Sequence, residues 1–185
     1  FLDSRGLTNY EVDELGPIYG YQWRNFNKNY ISKKQSDLSG WRDDNLIEGL
    51  QDNGIDQLQQ IIEKLKNPAT RTSRRLIMSA WNPCQLDQMA LPPCHILCQF
   101  NVKNGDQLSC AMYQRSNDEA CGTTFNIASY SFLTHLLAKH CGLKAHEFIY
   151  FKGDCHIYED HIEGIKTQIQ REPYPFPTIS IKTIR

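Results

Sequence analysis

Asn126-Ile-Ala-Ser-Tyr-Ser-Phe-Leu-Thr-His-Leu-Leu-Ala-Lys-His140 is the stretch on which the fold turns. Its apolar residues (Ile127, Ala128, Tyr130, Phe132, Leu133, Leu136, Leu137, Ala138) cover most faces of a helix. A surface helix carries one apolar stripe, so this pattern predicts a buried central helix. Asn126 suits its N-cap and Gly142 its end. On either side the sequence reads as strand. Residues 96–103 and 107–115 are joined by the hairpin signal Asn104-Gly105-Asp106, and residues 147–152 form a third strand. An apolar helix between strands predicts an α+β fold, a mixed β-sheet packed against a buried central helix.

Working outward, residues 54–66 place Ile55, Leu58, Ile61, Ile62 and Leu65 on one helix face, stopped by Asn67-Pro68. Residues 73–81 read as a strand entered through Arg74-Arg75. Tyr19-Gly-Tyr-Gln-Trp23 alternates like a strand end, residues 157–170 read as a helix, and residues 175–184 as a last strand. Residues 31–53, with Lys33-Lys34 and Asp43-Asp44, predict an exposed polar insertion without a site. The whole, residues 1–185, is expected to be a single domain.

With 40% hydrophobic residues and a net charge of −1, the chain has no general attraction for nucleic acid or membrane. Any anion site must be local. The seven cysteines are odd in number and scattered, without a zinc-binding spacing, so reduced thiols, no metal and a cytoplasmic location are expected. No signal peptide or apolar run of membrane-spanning length is present in the sequence. Phe1 is not a natural start and the last residues still read as strand, so the chain is expected to be cut at both ends.

Within this frame, Met89-Ala-Leu-Pro-Pro-Cys94-His95 holds a thiol behind two prolines that fix φ and remove two backbone donors. Such stiffness suits a nucleophile, although a buried structural cysteine shares the pattern. Arg115-Ser116 at a strand end, and Arg74-Arg75 at a strand start, offer guanidinium forks and a hydroxyl suited to a phosphate. Isolated surface arginines more often make only ion pairs; Arg115 differs in sitting among apolar strand residues. An arginine near Cys94 would favour its reactive thiolate. Asn126 offers an acceptor and two donors in one plane, able to read the edge of a base. His156 and Tyr158 can point to one side and hold a sugar hydroxyl. His95 could be a base for Cys94, but neighbours along a strand face opposite ways. A thiol, phosphate-competent arginines, a base-reading amide and a His/Tyr pair together point to a pyrimidine-nucleotide site with covalent catalysis.

The chain closely resembles the thymidylate synthase family. The resemblance is carried by Leu15-Gly-Pro-Ile-Tyr19-Gly-Tyr-Gln-Trp-Arg24, Ser73-Arg-Arg75, Met89–His95, Tyr113-Gln-Arg-Ser116, Phe125-Asn-Ile-Ala-Ser-Tyr130, Gly153-Asp-Cys-His-Ile-Tyr158 and Arg171-Glu-Pro-Tyr-Pro-Phe-Pro177. These occur in the family's order and spacing, with residues 31–53 the main exception. The resemblance implies reductive methylation of dUMP to dTMP, with 5,10-methylenetetrahydrofolate as co-substrate and no metal. It implies that Cys94 adds to C6 of uracil, with Tyr19, Asn126 and Arg115 in the catalytic group. Arg115 and Ser116 would hold the 5′-phosphate, and Arg74 and Arg75 would reach the phosphate of a partner in a homodimer. Asn126 would read the base, His156 and Tyr158 the 3′-hydroxyl, while Gln114 and Asp118 order the base and its waters. Leu91, Asp118, Gly122, Phe125 and Tyr158 would line the folate side.

The family usually has leucine at Cys121, against the folate, and an apolar residue then proline at Thr123-Thr124. Hydroxyls there are expected to loosen the folate wall and the start of the helix. The family's phosphate-binding arginine, proton-transfer acid and closing tail fall outside residues 1–185. The chain alone is therefore expected to be weak or inactive, its parent the enzyme, with a dihydrofolate reductase domain conceivable upstream. Two alternatives stand beside this reading: a dUMP hydroxymethylase of the same family, and a non-catalytic fragment or dimerisation relic. Asn126 argues for uracil over cytosine.

Overall fold

The computed structural model describes residues 2–8, 10–33 and 54–182. The insertion expected over residues 31–53 lies almost wholly outside the described residues, as does the end of the last predicted strand. Four strands, β1 (Ile77–Ser79), β2 (His95–Lys103), β3 (Gln107–Asp118) and β4 (Lys144–His156), form one sheet in the order β1-β2-β3-β4. The first two pairings are antiparallel and β3–β4 is parallel, so the sheet is mixed. Helices α1 (Gly20–Asn25), α2 (Gln57–Lys66), α3 (Gly122–His140) and α4 (Ile162–Gln168) complete an α+β arrangement.

The hairpin turns where Asn104-Gly105 stand, both at positive φ (49° and 84°), with Lys103 opposite Gln107. Glycine takes that conformation freely and asparagine tolerates it. One face of β2 and β3 buries Cys98, Phe100, Val102, Leu108, Cys110 and Met112, which pack with Ile61 and Leu65 of α2 and with Tyr130, Leu137 and Ala138 of α3. α2 begins where the Asp56 carboxylate accepts from the Gln59 N–H at 2.9 Å, an N-cap of the ordinary kind.

α3 connects the parallel strands β3 and β4. It ends in a Schellman motif: Leu143 N–H donates to Ala138 O at 2.7 Å, Gly142 N–H to Lys139 O at 3.4 Å, and Gly142 sits at φ 69°. Two expectations about α3 change. It starts at Gly122, four residues early, so Asn126 lies inside the helix and Cys121 takes the N-cap position. It also buries one stripe (Tyr130, Thr134, Leu137, Ala138), while Phe125, Ile127, Phe132 and Leu136 stay exposed. Among the described residues the sheet covers only one side of α3.

Elsewhere the structure corrects several boundaries. Tyr19–Trp23 is not a strand end; α1 starts at Gly20, with Tyr19 held at φ 27°. The strand entered through Arg74-Arg75 shrinks to Ile77–Ser79, leaving both arginines in an exposed turn. The strand at 147–152 lengthens to Lys144–His156 because β3 pairs with it along its full length. The helix over 157–170 splits into a 3₁₀ turn, Glu159–His161, and α4. No strand forms over 175–182, where Pro175 and Pro177 lack the N–H groups that a ladder requires.

A buried amide cluster ties the segment before Cys94 to α1. Gln22 Nε2 donates to Pro17 O at 2.7 Å and to Gln85 Oε1 at 2.8 Å, and Asn82 Nδ2 donates to Gln85 Oε1 at 2.9 Å. Gly16 sits beside it at φ 77°, where an added Cβ would lie 2.2 Å from Gln88 O. Strain and overlap combine there, so Gly16→Ala is expected to lower unfolding free energy by about 3 kcal/mol or more. Urea denaturation would check this; a loss below about 1 kcal/mol would contradict it.

Candidate active site

Cys94 is half-buried at the start of β2, and its main chain is held from both sides. Its N–H donates to the Tyr19 hydroxyl at 2.9 Å, and its carbonyl accepts from Arg115 N–H at 2.8 Å. The Arg115 guanidinium closes the arrangement, with Nε donating to Pro93 O at 2.9 Å and one terminal nitrogen to Pro92 O at 3.0 Å. It also lies over the Trp81 ring, 5.5 Å from the centroid. The carbonyls of Pro92 and Pro93 take their donors from Arg115, far along the chain. A guanidinium has five N–H donors, so most of the fork is left for an anion. The structure therefore brings Cys94, Tyr19 and Arg115 into direct contact, by a clamp the sequence does not reveal.

His95 lies elsewhere. Its ring stacks on Tyr19 at 4.1 Å, and its Nδ1 sits 2.7 Å from the Tyr130 hydroxyl. A register shift between His95 and Leu97 marks this point of the strand. Burial lowers the His95 pKa from 6.5 to about 4, so the ring is neutral at neutral pH. Burial likewise pushes the Tyr19 and Tyr130 hydroxyls up and keeps them protonated.

The His95 shift has a consequence for stability. Between pH 6.5 and 4 the unfolded chain binds a proton at this position that the folded chain refuses. The contribution is fully present above pH 6.5 and is lost as pH falls through that window, to an extent on the order of 2–3 kcal/mol. Unfolding at pH 7 and pH 5 should show a larger loss for the parent than for His95→Gln; equal losses would contradict it.

A second group gathers where β3 and β4 end side by side. Ser116 pairs with Asp154 and Asp118 with His156, and Glu119 N–H donates to His156 O at 3.0 Å. His156 Nδ1 lies 2.8 Å from Asp154 Oδ1, and the Tyr158 ring meets His156 edge-on at 5.2 Å. Gly122 sits between Asp118 and Asn126: a Cβ there would lie 3.6 Å from Asp118 Cβ and 3.6 Å from Asn126 Oδ1. Phe125, Tyr158 and Leu91 are exposed, the first two near these strand ends and Leu91 in the turn before Cys94. Gly153 lets β4 approach closely, since a Cβ there would meet Arg115 O at 2.8 Å.

Gln114 has a role the sequence did not show. It is buried, its Nε2 donates to Ser116 O at 2.9 Å, and its Oε1 accepts from Tyr150 at 2.6 Å. The Tyr150 hydroxyl also reaches Asn117 Oδ1, and Asn117 Nδ2 donates to Thr123 Oγ1 at 2.6 Å. Tyr150 and Asn117 carry no motif in one sequence; only the parallel pairing of β3 and β4 aligns them.

Thr123 and Thr124 do not leave loose hydroxyls. Thr123 Oγ1 donates to Asp118 O and Glu119 Oε2, both at 3.1 Å, and Thr124 Oγ1 to Cys121 O at 3.3 Å. Thr123 fastens the first turn of α3 to the end of β3, and Thr124 bonds back to Cys121 at the N-cap position. The expectation that hydroxyls would loosen the helix start does not hold there.

Arg74 and Arg75 stand apart. Gln99 Nε2 donates to Arg74 O at 3.0 Å, which puts the pair beside the middle of β2. Five strand residues separate Gln99 from Cys94, roughly 16 Å at strand spacing. Together with Thr72 and Ser73 they line a shallow surface concavity, and within this chain they do not reach Cys94.

The family model described as thymidylate synthase matches residues 3–185. The chain is 50% identical over 181 residues to a bifunctional dihydrofolate reductase-thymidylate synthase of Plasmodium berghei, covering 98% of this chain and 28% of that protein. It is 50% identical over 182 residues to thymidylate synthase of Homo sapiens, covering 98% of this chain and 53% of that protein. A probable thymidylate synthase of Schizosaccharomyces pombe is 50% identical over 189 residues, with 98% and 28% covered. The chain thus spans about a quarter to about half the length of these relatives. No helix among the described residues is long and apolar enough to cross a membrane. The match over almost all of the sequence, with the clamped Cys94 inside it, means that this chain belongs to the thymidylate synthase family.

Proposed function

We propose that this chain carries the nucleotide half of the active site of a thymidylate synthase, which converts dUMP to dTMP with 5,10-methylenetetrahydrofolate. The observation that carries the proposal is the clamp on Cys94. A thiol whose N–H, carbonyl and preceding turn are all fixed by Tyr19 and Arg115 is positioned for attack with little reorganisation. Its Sγ adds to C6 of uracil, which makes C5 nucleophilic. Arg115 and Ser116 take the 5′-phosphate, and Asn126, Gln114 and Asp118 take the base and its ordered waters. His156 and Tyr158 take the 3′-hydroxyl. The reduced folate supplies the carbon and the hydride. Exposed Phe125, Leu91 and Tyr158 fit a flat heterocycle, with Gly122 and Asp118 beside them.

The exposed Arg74 and Arg75, out of reach of Cys94 in their own subunit, support a homodimer in which they reach the partner's phosphate site. Seven free cysteines accord with a reducing, cytoplasmic location. The test is turnover: the parent protein that contains this chain, purified and given dUMP and methylenetetrahydrofolate, should yield dTMP and one dihydrofolate per turnover. A hydroxymethylated nucleotide, or no product from the folded parent protein, would overturn the proposal.

A further inference from the structure

Asp118, Cys121 and His161 converge from three elements. One ligand atom of each lies within 4.8 Å of the others. Asp118 ends β3, Cys121 caps α3, and His161 closes the 3₁₀ turn after β4. Parallel pairing of Asp118 with His156 brings the carboxylate and that turn to the same edge, and the Tyr158 ring packs edge-on against His161 at 5.8 Å.

We propose that Asp118, Cys121 and His161 form a binding site for a thiophilic divalent cation of the zinc class. A thiolate, an imidazole nitrogen and a carboxylate oxygen are a donor set that suits zinc and disfavours magnesium or calcium. Zinc bond lengths and a tetrahedral angle put such atoms about 3.5 Å apart. The observed spread therefore closes by rotamer adjustments of about an ångström.

The surroundings favour this adjustment. Asp118 Oδ1 accepts from the N–H groups of Ala120 at 3.1 Å and Cys121 at 3.3 Å, so one loop fixes both the carboxylate and the cysteine backbone. The second carboxylate oxygen remains for an ion. Cys121 is exposed at the N-cap position of α3, so its sulfur is open to an ion from solvent. On binding, the thiol gives its proton to solvent and a sulfur–metal bond forms, with no change of oxidation state.

His161 supplies an independent observation. Its Nδ1 is sealed from solvent and has no hydrogen-bond partner among the described residues. A buried ring nitrogen without a partner is costly, so this ring carries a polar atom that the described residues leave unused. Three protein ligands leave a fourth position for water.

The site rests on geometry alone. Its effect rests on the proposed function: Asp118 is assigned there to substrate, so an occupied site ties up Asp118 and opposes turnover.

Cobalt is the probe, because a thiolate ligand gives it a charge-transfer band in the near ultraviolet. Metal-free protein should bind one equivalent of cobalt with that band, and zinc should displace it. Cys121→Leu should abolish the band. His161→Gln should weaken cobalt binding by at least about tenfold, and it reads the site even should Cys121→Leu fail to fold. Cys94→Ser and Cys155→Ser should leave the band unchanged. Absence of a stoichiometric band, its survival in a folded Cys121→Leu variant, or its loss in Cys94→Ser would overturn the site. None of these readouts depends on dTMP formation, so failure here leaves the proposed reaction untouched.

Discussion

Cys94→Ser is expected to lower dTMP formation by a factor on the order of 10⁴ or more, the usual cost of removing a covalent nucleophile. Serine keeps nearly the same size and can keep the side-chain contact that residue 94 makes with the Tyr19 hydroxyl, and the main-chain bonds of residue 94 are unchanged. Stability should therefore stay within about 1 kcal/mol of the parent. dUMP binding, measured by calorimetry, should also survive, because the groups assigned to phosphate, base and sugar are unchanged. Loss of binding together with turnover would mean that the thiol is structural. Retained turnover would remove it from the chemistry.

Arg115 should give the second-largest effect, through two roles that substitutions can separate. Its Nε and one terminal nitrogen hold the carbonyls of Pro92 and Pro93, and its remaining donors are assigned to phosphate. Arg115→Ala removes both. The expected outcome is a loss of dUMP affinity of about 100-fold or more, since each charge-assisted hydrogen bond contributes about 1.5–3 kcal/mol. The freed proline carbonyls and the lost stacking on Trp81 should also lower stability by about 1–3 kcal/mol. Arg115→Lys keeps the charge but not the fork, so it should recover part of the affinity and little of the turn. A lysine variant with full kcat and full affinity would show that the two proline contacts do not matter.

The hairpin around Asn104-Gly105 and the body of α2 were legible in sequence because their signals are local. A turn dipeptide and a periodic apolar face stopped by Asn67-Pro68 need nothing from the rest of the chain, whereas the Asp56 cap, which moves the helix start to Gln57, came from the structure. The boundaries that moved all depend on pairing across the sheet or on other elements. β4 runs from Lys144 because β3 pairs with it, and Tyr19–Trp23 coils because Gln22 must bury its amide against Gln85 and Asn82. Composition cannot show which side of α3 the sheet will cover.

The site divides in the same way. Cys94 behind two prolines was readable as a held thiol. What holds it comes from residues far along the chain, Tyr19 and Arg115, and no spacing rule joins them. The helix start shows how tertiary context overrides composition: Thr123 and Thr124 read as disruptive polar changes, yet the Thr123 hydroxyl binds the end of β3 to α3 and the Thr124 hydroxyl bonds back to Cys121. Asp118, Cys121 and His161 were invisible as a group because His161 lies 40 residues beyond Cys121 in the chain. Parallel pairing of β3 and β4 closes that gap.

The proposed function depends above all on attack by Cys94 on C6 of a uracil nucleotide held by this chain. Incubation of the protein with 5-fluoro-dUMP and methylenetetrahydrofolate, followed by intact and peptide mass spectrometry, tests it directly, because fluorine at C5 blocks the proton loss that would release the nucleotide. A stable adduct carrying both nucleotide and folate is expected on the peptide that contains Cys94, and no adduct in Cys94→Ser. A folded protein that forms no adduct, or forms it on another cysteine, would contradict it.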